Sequence, residues 1–280
     1  MSRAGAERGY RDPMTEPSLE FIGTATALLR LGPFTLLTDP NFLHRGQRAY
    51  LGKGLFSKRL TEPSRQPAQL PPLDAIVLSH LHGDHFDRIA RHELDRSLPV
   101  LTTPAASDRL RDWGFGGAAG MQPWETHTLT SEGARLTLTS VPGEHTPRFA
   151  KGLLPPVMGS VIELYDASSA PLRIYVTGDT LCRPWLREVV ERCGPVDAMV
   201  IHLGGTRALG LLVTMDADQG SDLVELIRPA LTVPVHYDDY TVFRSPLADF
   251  EAAWRRRDLP GTLRTVGRGE VVSLLPAAGI

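Results

Sequence analysis

The chain predicts a mixed α/β fold of the four-layer αββα sandwich type, on three observations. Short apolar runs crowd its first forty residues. Further apolar runs then alternate with amphipathic, helix-like stretches to the end. Histidine and aspartate recur where several of those runs stop. Strands first, then strands mixed with helices, suit two sheets packed face to face with helices outside both.

Taken in order, residues 19–23, 27–31 and 34–38 read as strands joined by tight turns at Gly23, Gly32 and Pro33. Thr38-Asp39-Pro40 stops the third. Residues 41–72 form a long irregular connection rich in glycine, proline and basic side chains. Connections of that length inside a compact fold are functional or disordered. The run 74–79 reads as a buried strand and feeds straight into His80-Leu81-His82-Gly83-Asp84-His85. A helix over 84–94 follows, then a strand over 98–102. Pro104 opens another helix, at the first turn where proline is tolerated. Residues 135–141 alternate as a half-buried strand, and 161–165 and 172–177 read as two more. A helix is expected over 184–193 and a strand over 196–201. Cys182 and Cys193 read as two thiols on nearly one face of that helical stretch. Residues 216–227 form a helix, with Asp216 as its cap and Pro229 past its end. A short strand ends at His236, 247–257 is an amphipathic helix, and 271–275 is a final strand. No linker divides 18–280, which predicts one domain. Residues 1–17, polar and carrying Pro13 and Pro17, predict a disordered tail, with Met14 as an alternative start.

Composition weighs against several functions. Thirty basic against thirty-two acidic residues leave a formal charge of −2. A nucleic-acid partner would need a basic footprint that this balance does not supply. No run approaches the ~18 apolar residues of a membrane span. The first residues have no apolar stretch of the secretory type. Two cysteines make no disulfide framework, and a cytoplasmic setting is expected. A homo-oligomer is compatible with the chain.

The chemistry sits in His80, His82, Asp84 and His85. Only nine of 280 residues are histidine, so H-x-H-x-D-H arises by chance in on the order of one in a thousand such chains. Residues two apart on an extended loop point the same way, so His80 and His82 can converge on one metal ion. Asp84 and His85, past the Gly83 turn, face a second point. Imidazole suits zinc, and a carboxylate adds a hard oxygen ligand. Neither pair fills a coordination shell. His145, Asp179 and His236, each at the end of a predicted strand, complete a set for two metals.

The motif H-x-H-x-D-H followed by His, Asp and His at strand ends resembles the metallo-β-lactamase superfamily. Thr38-Asp39-Pro40, the long loop after it, Gly178-Asp179-Thr180 and the His236 strand resemble two branches of it. These are the ascorbate-6-phosphate lactonase-like and the N-acyl phosphatidylethanolamine phospholipase D-like proteins. The resemblance implies that His80, His82 and His145 hold one metal. It puts Asp84, His85 and His236 on the other, with Asp179 bridging both. Thr24 falls where branch members often carry histidine, and Thr214 where the phospholipase-like proteins carry one. A histidine's proton chemistry is absent from both places.

The activity so implied is hydrolysis of a phosphodiester or a lactone in an anionic small molecule. Two metals, zinc first and manganese or iron as alternatives, would hold a bridging hydroxide. The candidate catalytic residues are Asp179, Asp84 and His202, with Asp179 orienting the hydroxide and passing its proton on. Asp39 is the expected partner of a ligating histidine. Arg45, Arg48 and Lys53 are expected to present cations to the substrate as a lid, joined by Arg148 and Lys151. An iron-dependent oxidoreductase of the same fold and a nuclease are the alternatives.

Overall fold

A computed structural model of the chain describes residues 16–131, 133–146, 154–165, 170–208 and 210–276. The expectations for the tail through residue 15 and for Arg148 and Lys151 lie outside those residues. Two seven-stranded sheets dominate. The first runs, in spatial order, through Val271–Ser273, Ser18–Gly23, Thr26–Leu31, Phe34–Thr38, Ala75–Val77, Val100–Thr102 and Ala118–Gly120. The second runs through Thr262–Leu263, Leu231–Val235, Ala198–His202, Leu172–Val176, Val157–Tyr165, Ala134–Gly143 and Thr126–Ser131.

Both sheets bury both faces, which explains why their central strands are nearly continuous apolar runs. Leu29, Leu36 and Val77 from one sheet meet Leu138, Ile174 and Val200 from the other in the inter-sheet core. Along Ala198–His202, Ala198 and Val200 point inward, while Met199 and Ile201 point outward beneath the helices Ala217–Ile227 and Leu247–Arg257. The outer face of the first sheet packs Ile76 and Leu78 against Ala90, Leu110 and Phe115, under the helices Arg88–Glu93 and Pro104–Asp112. The layers are therefore helix, sheet, sheet, helix.

Strand direction positions the site. Phe34–Thr38 and Ala75–Val77 are parallel. Leu172–Val176, Ala198–His202 and Leu231–Val235 are also parallel to one another. Ala134–Gly143 runs with them, because two antiparallel pairings separate it from Leu172–Val176. Their C-terminal ends deliver Asp39, the 80–85 loop, His145, Asp179, His202 and His236.

Several boundaries differ from expectation. The helix after the histidine motif begins only at Arg88, because Asp87 caps it by accepting from Ala90 N at 2.8 Å. The 41–72 connection contains a small hairpin, Arg48–Tyr50 paired with Phe56–Lys58. Cys182 lies before the helical segment, which starts at Pro184 as a 3-10 turn and continues as Glu188–Cys193, so the two thiols do not share a helix face. Thr126–Ser131 is an edge strand of alternating polar residues whose weak apolar signal concealed it. No helix among the described residues is long and apolar enough to cross a membrane.

Asp216 accepts from Gln219 N at 3.1 Å and caps Ala217–Ile227. Asp216→Ala should lower unfolding stability in urea by ~0.5–2 kcal/mol with metal content unchanged. Loss of metal from a folded variant would instead place Asp216 in the chemistry.

Candidate metal centre

All seven residues singled out by the sequence come together in one buried cluster. His80, His82 and His145 each offer a ligand atom within 4.8 Å of the others, and Asp84, His85 and His236 do the same. Asp179 forms a third such group with His80 and His85, which places it between the two sets. The Asp179 carboxylate stands 3.2 Å from His85 Nε2 and 3.4 Å from His236 Nδ1.

The donor set fits a metal on an observation independent of motif. His82 Nε2, Asp84 Oδ1, His85 Nε2, Asp179 Oδ1 and His236 Nε2 are buried and have no hydrogen-bond partner. Leaving that many polar atoms dry and unpaired is costly unless something binds them. The Nδ1 atoms of His85, His145 and His236 have partners outside the cluster. His145 Nδ1 donates to the Val213 carbonyl at 2.6 Å and His236 Nδ1 to the Leu203 carbonyl at 3.1 Å. His85 Nδ1 stands 3.0 Å from Asp39 Oδ2. Fixing Nδ1 in this way aims Nε2 at the cluster centre.

Asp39 takes the place expected of it. Its carboxylate also accepts from Ser79 N at 2.7 Å and Ser79 Oγ at 2.9 Å. Burial pushes its pKa up, but the charge on His85 and hydrogen bonds from His202 and His85 prevail and hold it at about 2. His202 is buried behind the ligands, with Nε2 3.5 Å from Asp39 Oδ2, Nδ1 against Thr177 Oγ1 at 3.2 Å, and its ring stacked on His85. It does not line the cavity described below.

The candidate ligands on the 80–85 loop are braced from outside. Gly83 N donates to the Tyr50 carbonyl at 2.9 Å, and a Cβ at Gly83 would meet Tyr50 N and O at 2.7 Å. Asn41 Nδ2 donates to the Gly83 carbonyl at 2.8 Å, while Asn41 Oδ1 accepts from Tyr240 OH and from Arg59. Arg59, from the same 41–72 connection, is fully buried and pairs with Asp239 at 3.6 Å. Asp239 in turn accepts from Thr24 N at 2.7 Å, and the Thr24 carbonyl accepts from His236 N at 2.7 Å. Thr24, Asp39 and His236 all adopt positive φ, at 58°, 35° and 64°. The Asn41–Arg59–Asp239 network was not foreseen. The acid pair Asp238-Asp239 just after His236, opposite a basic loop, was its one sequence signal.

A cavity of about 120 Å³ opens beside the cluster. His82, Asp84, His145 and Asp179 form its floor, and Leu51, Leu55, Phe56, Val213 and Val242 its walls. The long loop thus contributes apolar side chains to the cavity. Arg45, Arg48 and Lys53 do not line it; among the described residues the cation that does is Arg207. Thr214 also lines it, its Oγ1 accepting from Thr206 N at 2.8 Å. His44 lies on the surface against Glu62, at 3.0 Å.

Comparison with known proteins agrees with this architecture. The model of the β-lactamase superfamily domain matches residues 35–237. An uncharacterized protein of Mycobacterium tuberculosis is 31% identical over 247 residues, covering 85% of this chain and 63% of its own length. The chain thus spans less than two thirds of that relative. A metal-dependent hydrolase of Deinococcus radiodurans is 26% identical over 255 residues, covering 90% of this chain and 97% of its own. Among solved structures, a "possible metal-dependent hydrolase" from Veillonella parvula superposes with a TM-score of 0.78 at 20% identity, covering 92% of this chain and all of that one. At that identity the likeness speaks to the fold.

Protonation differs between the two ligand sets. Burial and the neighbouring His85 and His82 hold His80 well below its ordinary pKa. Burial and His145 bring His82 down to about 4. Burial also lowers His145. Burial lowers His85 and His236 too, but Asp179 beside both, with Asp39 at His85 and Asp84 at His236, raises them above it. A raised pKa favours a bound proton that an incoming cation must displace, and a lowered one disfavours it. Zinc titrated into metal-free protein should therefore release more protons at the Asp84, His85, His236 set than at the other. Affinity at that set should rise with pH. Calorimetry in buffers of different ionisation enthalpy reads this directly; equal proton release by both equivalents would contradict it. Asp39→Ala should weaken metal binding by ~10–100-fold.

Proposed function

The chain belongs to the metallo-β-lactamase superfamily, and we propose that it is a metal-dependent hydrolase with a two-ion, zinc-holding centre. The observation that carries this is a set of five buried polar atoms of the cluster without hydrogen-bond partners, those of His82, Asp84 and Asp179 belonging to residues that line an open cavity. His80, His82 and His145 would hold one ion and Asp84, His85 and His236 the other, with Asp179 shared. When bound, such a pair supplies a water of lowered pKa and polarises the oxygen under attack.

The chain's own residues do the rest. Asp179, between the two ligand sets, orients the attacking water and takes its proton. Its pKa is held well below the ordinary carboxylate range: burial opposes this, but His236 and His85 prevail, so it stays ionised and able to accept a hydrogen bond from that water. Asp84 binds and orients as the carboxylate of the second set. Asp39, held by Ser79 and His202, keeps His85 in register; His202 is thereby a positioning residue. The walls Leu51, Leu55, Phe56 and Val242 exclude water from the reacting bond and favour an apolar group beside it.

The substrate class that fits is a phosphodiester or lactone carrying an apolar group and one anionic group, the latter facing Arg207. This keeps the anionic small molecule expected from sequence, but moves the recognising cation from the long loop to Arg207.

Purified protein should carry two zinc ions per chain by elemental analysis. It should turn over members of a panel of phosphodiesters, phosphomonoesters, lactones and β-lactams bearing apolar substituents. His82→Ala should lose both metal and turnover. Arg207→Ala should raise KM for anionic substrates by about tenfold and leave neutral ones unchanged. Stoichiometric iron with oxygen consumption, and no hydrolysis, would overturn this assignment.

A further inference from the structure

A second groove, of about 320 Å³, lies beside the hairpin Arg48–Tyr50 and Phe56–Lys58 and shares only Phe56 with the metal cavity. That volume falls in the range of small-molecule sites. Its body is aromatic. Phe86 stacks on Trp113 at 6.3 Å, and Tyr50 packs across the hairpin on Phe56 at 5.1 Å. Tyr50 and Phe56 remain 51% and 59% exposed, so large apolar rings face water here without cover.

The groove also gathers three arginines, Arg48, Arg88 and Arg91. Among the described residues none of the three pairs with a carboxylate. Arg91 lies over the Trp113 ring at 4.3 Å, which fixes its plane and leaves its N–H donors free. Arg88 Nη1 reaches the Arg48 carbonyl at 3.5 Å, which draws it toward the hairpin. The acid in the lining, Asp87, is buried and accepts from Phe42 N at 2.5 Å, Leu43 N at 2.6 Å and Ala90 N at 2.8 Å, so its oxygens are already used. Three guanidinium groups without a carboxylate partner among the described residues, on a chain of net charge −2, mark a local excess of positive charge.

We propose that this groove binds a dissolved amphipathic carboxylate, its apolar body against Tyr50, Phe56, Phe86 and Trp113 and its head on the arginines. Guanidinium forks match a carboxylate bidentately, and the aromatic walls account for the body. The site is separate from the metal centre and does not rest on the reaction assigned there.

The test is calorimetric titration of the full chain with decanoate below its micelle concentration, with decanol and acetate as single-feature controls. Decanoate should bind at one site per chain, and both controls at least about tenfold more weakly. Arg48→Gln and Arg88→Gln, both at exposed positions, should together weaken decanoate binding by at least about tenfold with metal content unchanged. Hydrogen exchange should show protection in 81–91 and 48–58 on binding. The proposal fails if decanol binds as well as decanoate, or if the double variant retains full affinity. It also fails if Arg207→Ala abolishes binding, since decanoate would then occupy the metal cavity, or if the protein binds anionic vesicles and not monomeric decanoate.

Discussion

Burying imidazole and carboxylate groups together, with their reactive atoms unpaired, is the constraint around which this molecule is organised. Water would satisfy such atoms at the surface; here the two sheets close over them. The arrangement is tolerable only if a cation balances the carboxylates and takes up the nitrogen lone pairs. Everything near the strand ends serves to hold those atoms at one point. Backbone carbonyls of Val213 and Leu203 and the carboxylate of Asp39 orient three rings.

Strain is concentrated at the same place. Thr24, Asp39 and His236 sit in left-handed backbone, a cost of ~1–3 kcal/mol each that the surroundings must over-determine. The chain of contacts from Arg59 through Asp239 and Thr24 to His236 supplies that determination. It also ties the 41–72 connection of the first sheet to the loop after Leu231–Val235 in the second, with Arg268 sharing Asp239 at 3.0 Å. Arg59 and Asp239 thus hold the centre together without touching it.

The sequence made the strands of both central sheets legible, because burial on two faces turns each into an unbroken apolar run. It made the seven clustered residues legible because their types are scarce and their spacing is dense. The hairpin inside 41–72 was not legible: its strands are three residues long and alternate exposed with buried, too short for any period to register. Thr126–Ser131 escaped for a related reason, being an edge strand with little apolar content. The fate of the loop cations was also hidden. Arg59 turns inward to meet an acid 180 residues away, Arg48 faces the second groove, and only the folded chain shows that Leu51, Leu55 and Phe56 are what the cavity receives. Pairings across such separations leave no local trace.

The contact between Gly83 and the backbone of Tyr50 has a consequence for how such proteins diversify. A wall that shapes the cavity is welded, main chain to main chain, onto the turn that carries His82 and Asp84. Swapping in a hairpin from another family member would therefore transplant part of the scaffold under His82 and Asp84 as well as the lining. Selectivity and metal retention cannot drift independently along that seam. A chimera would need its joint matched to the glycine before its new walls could be judged.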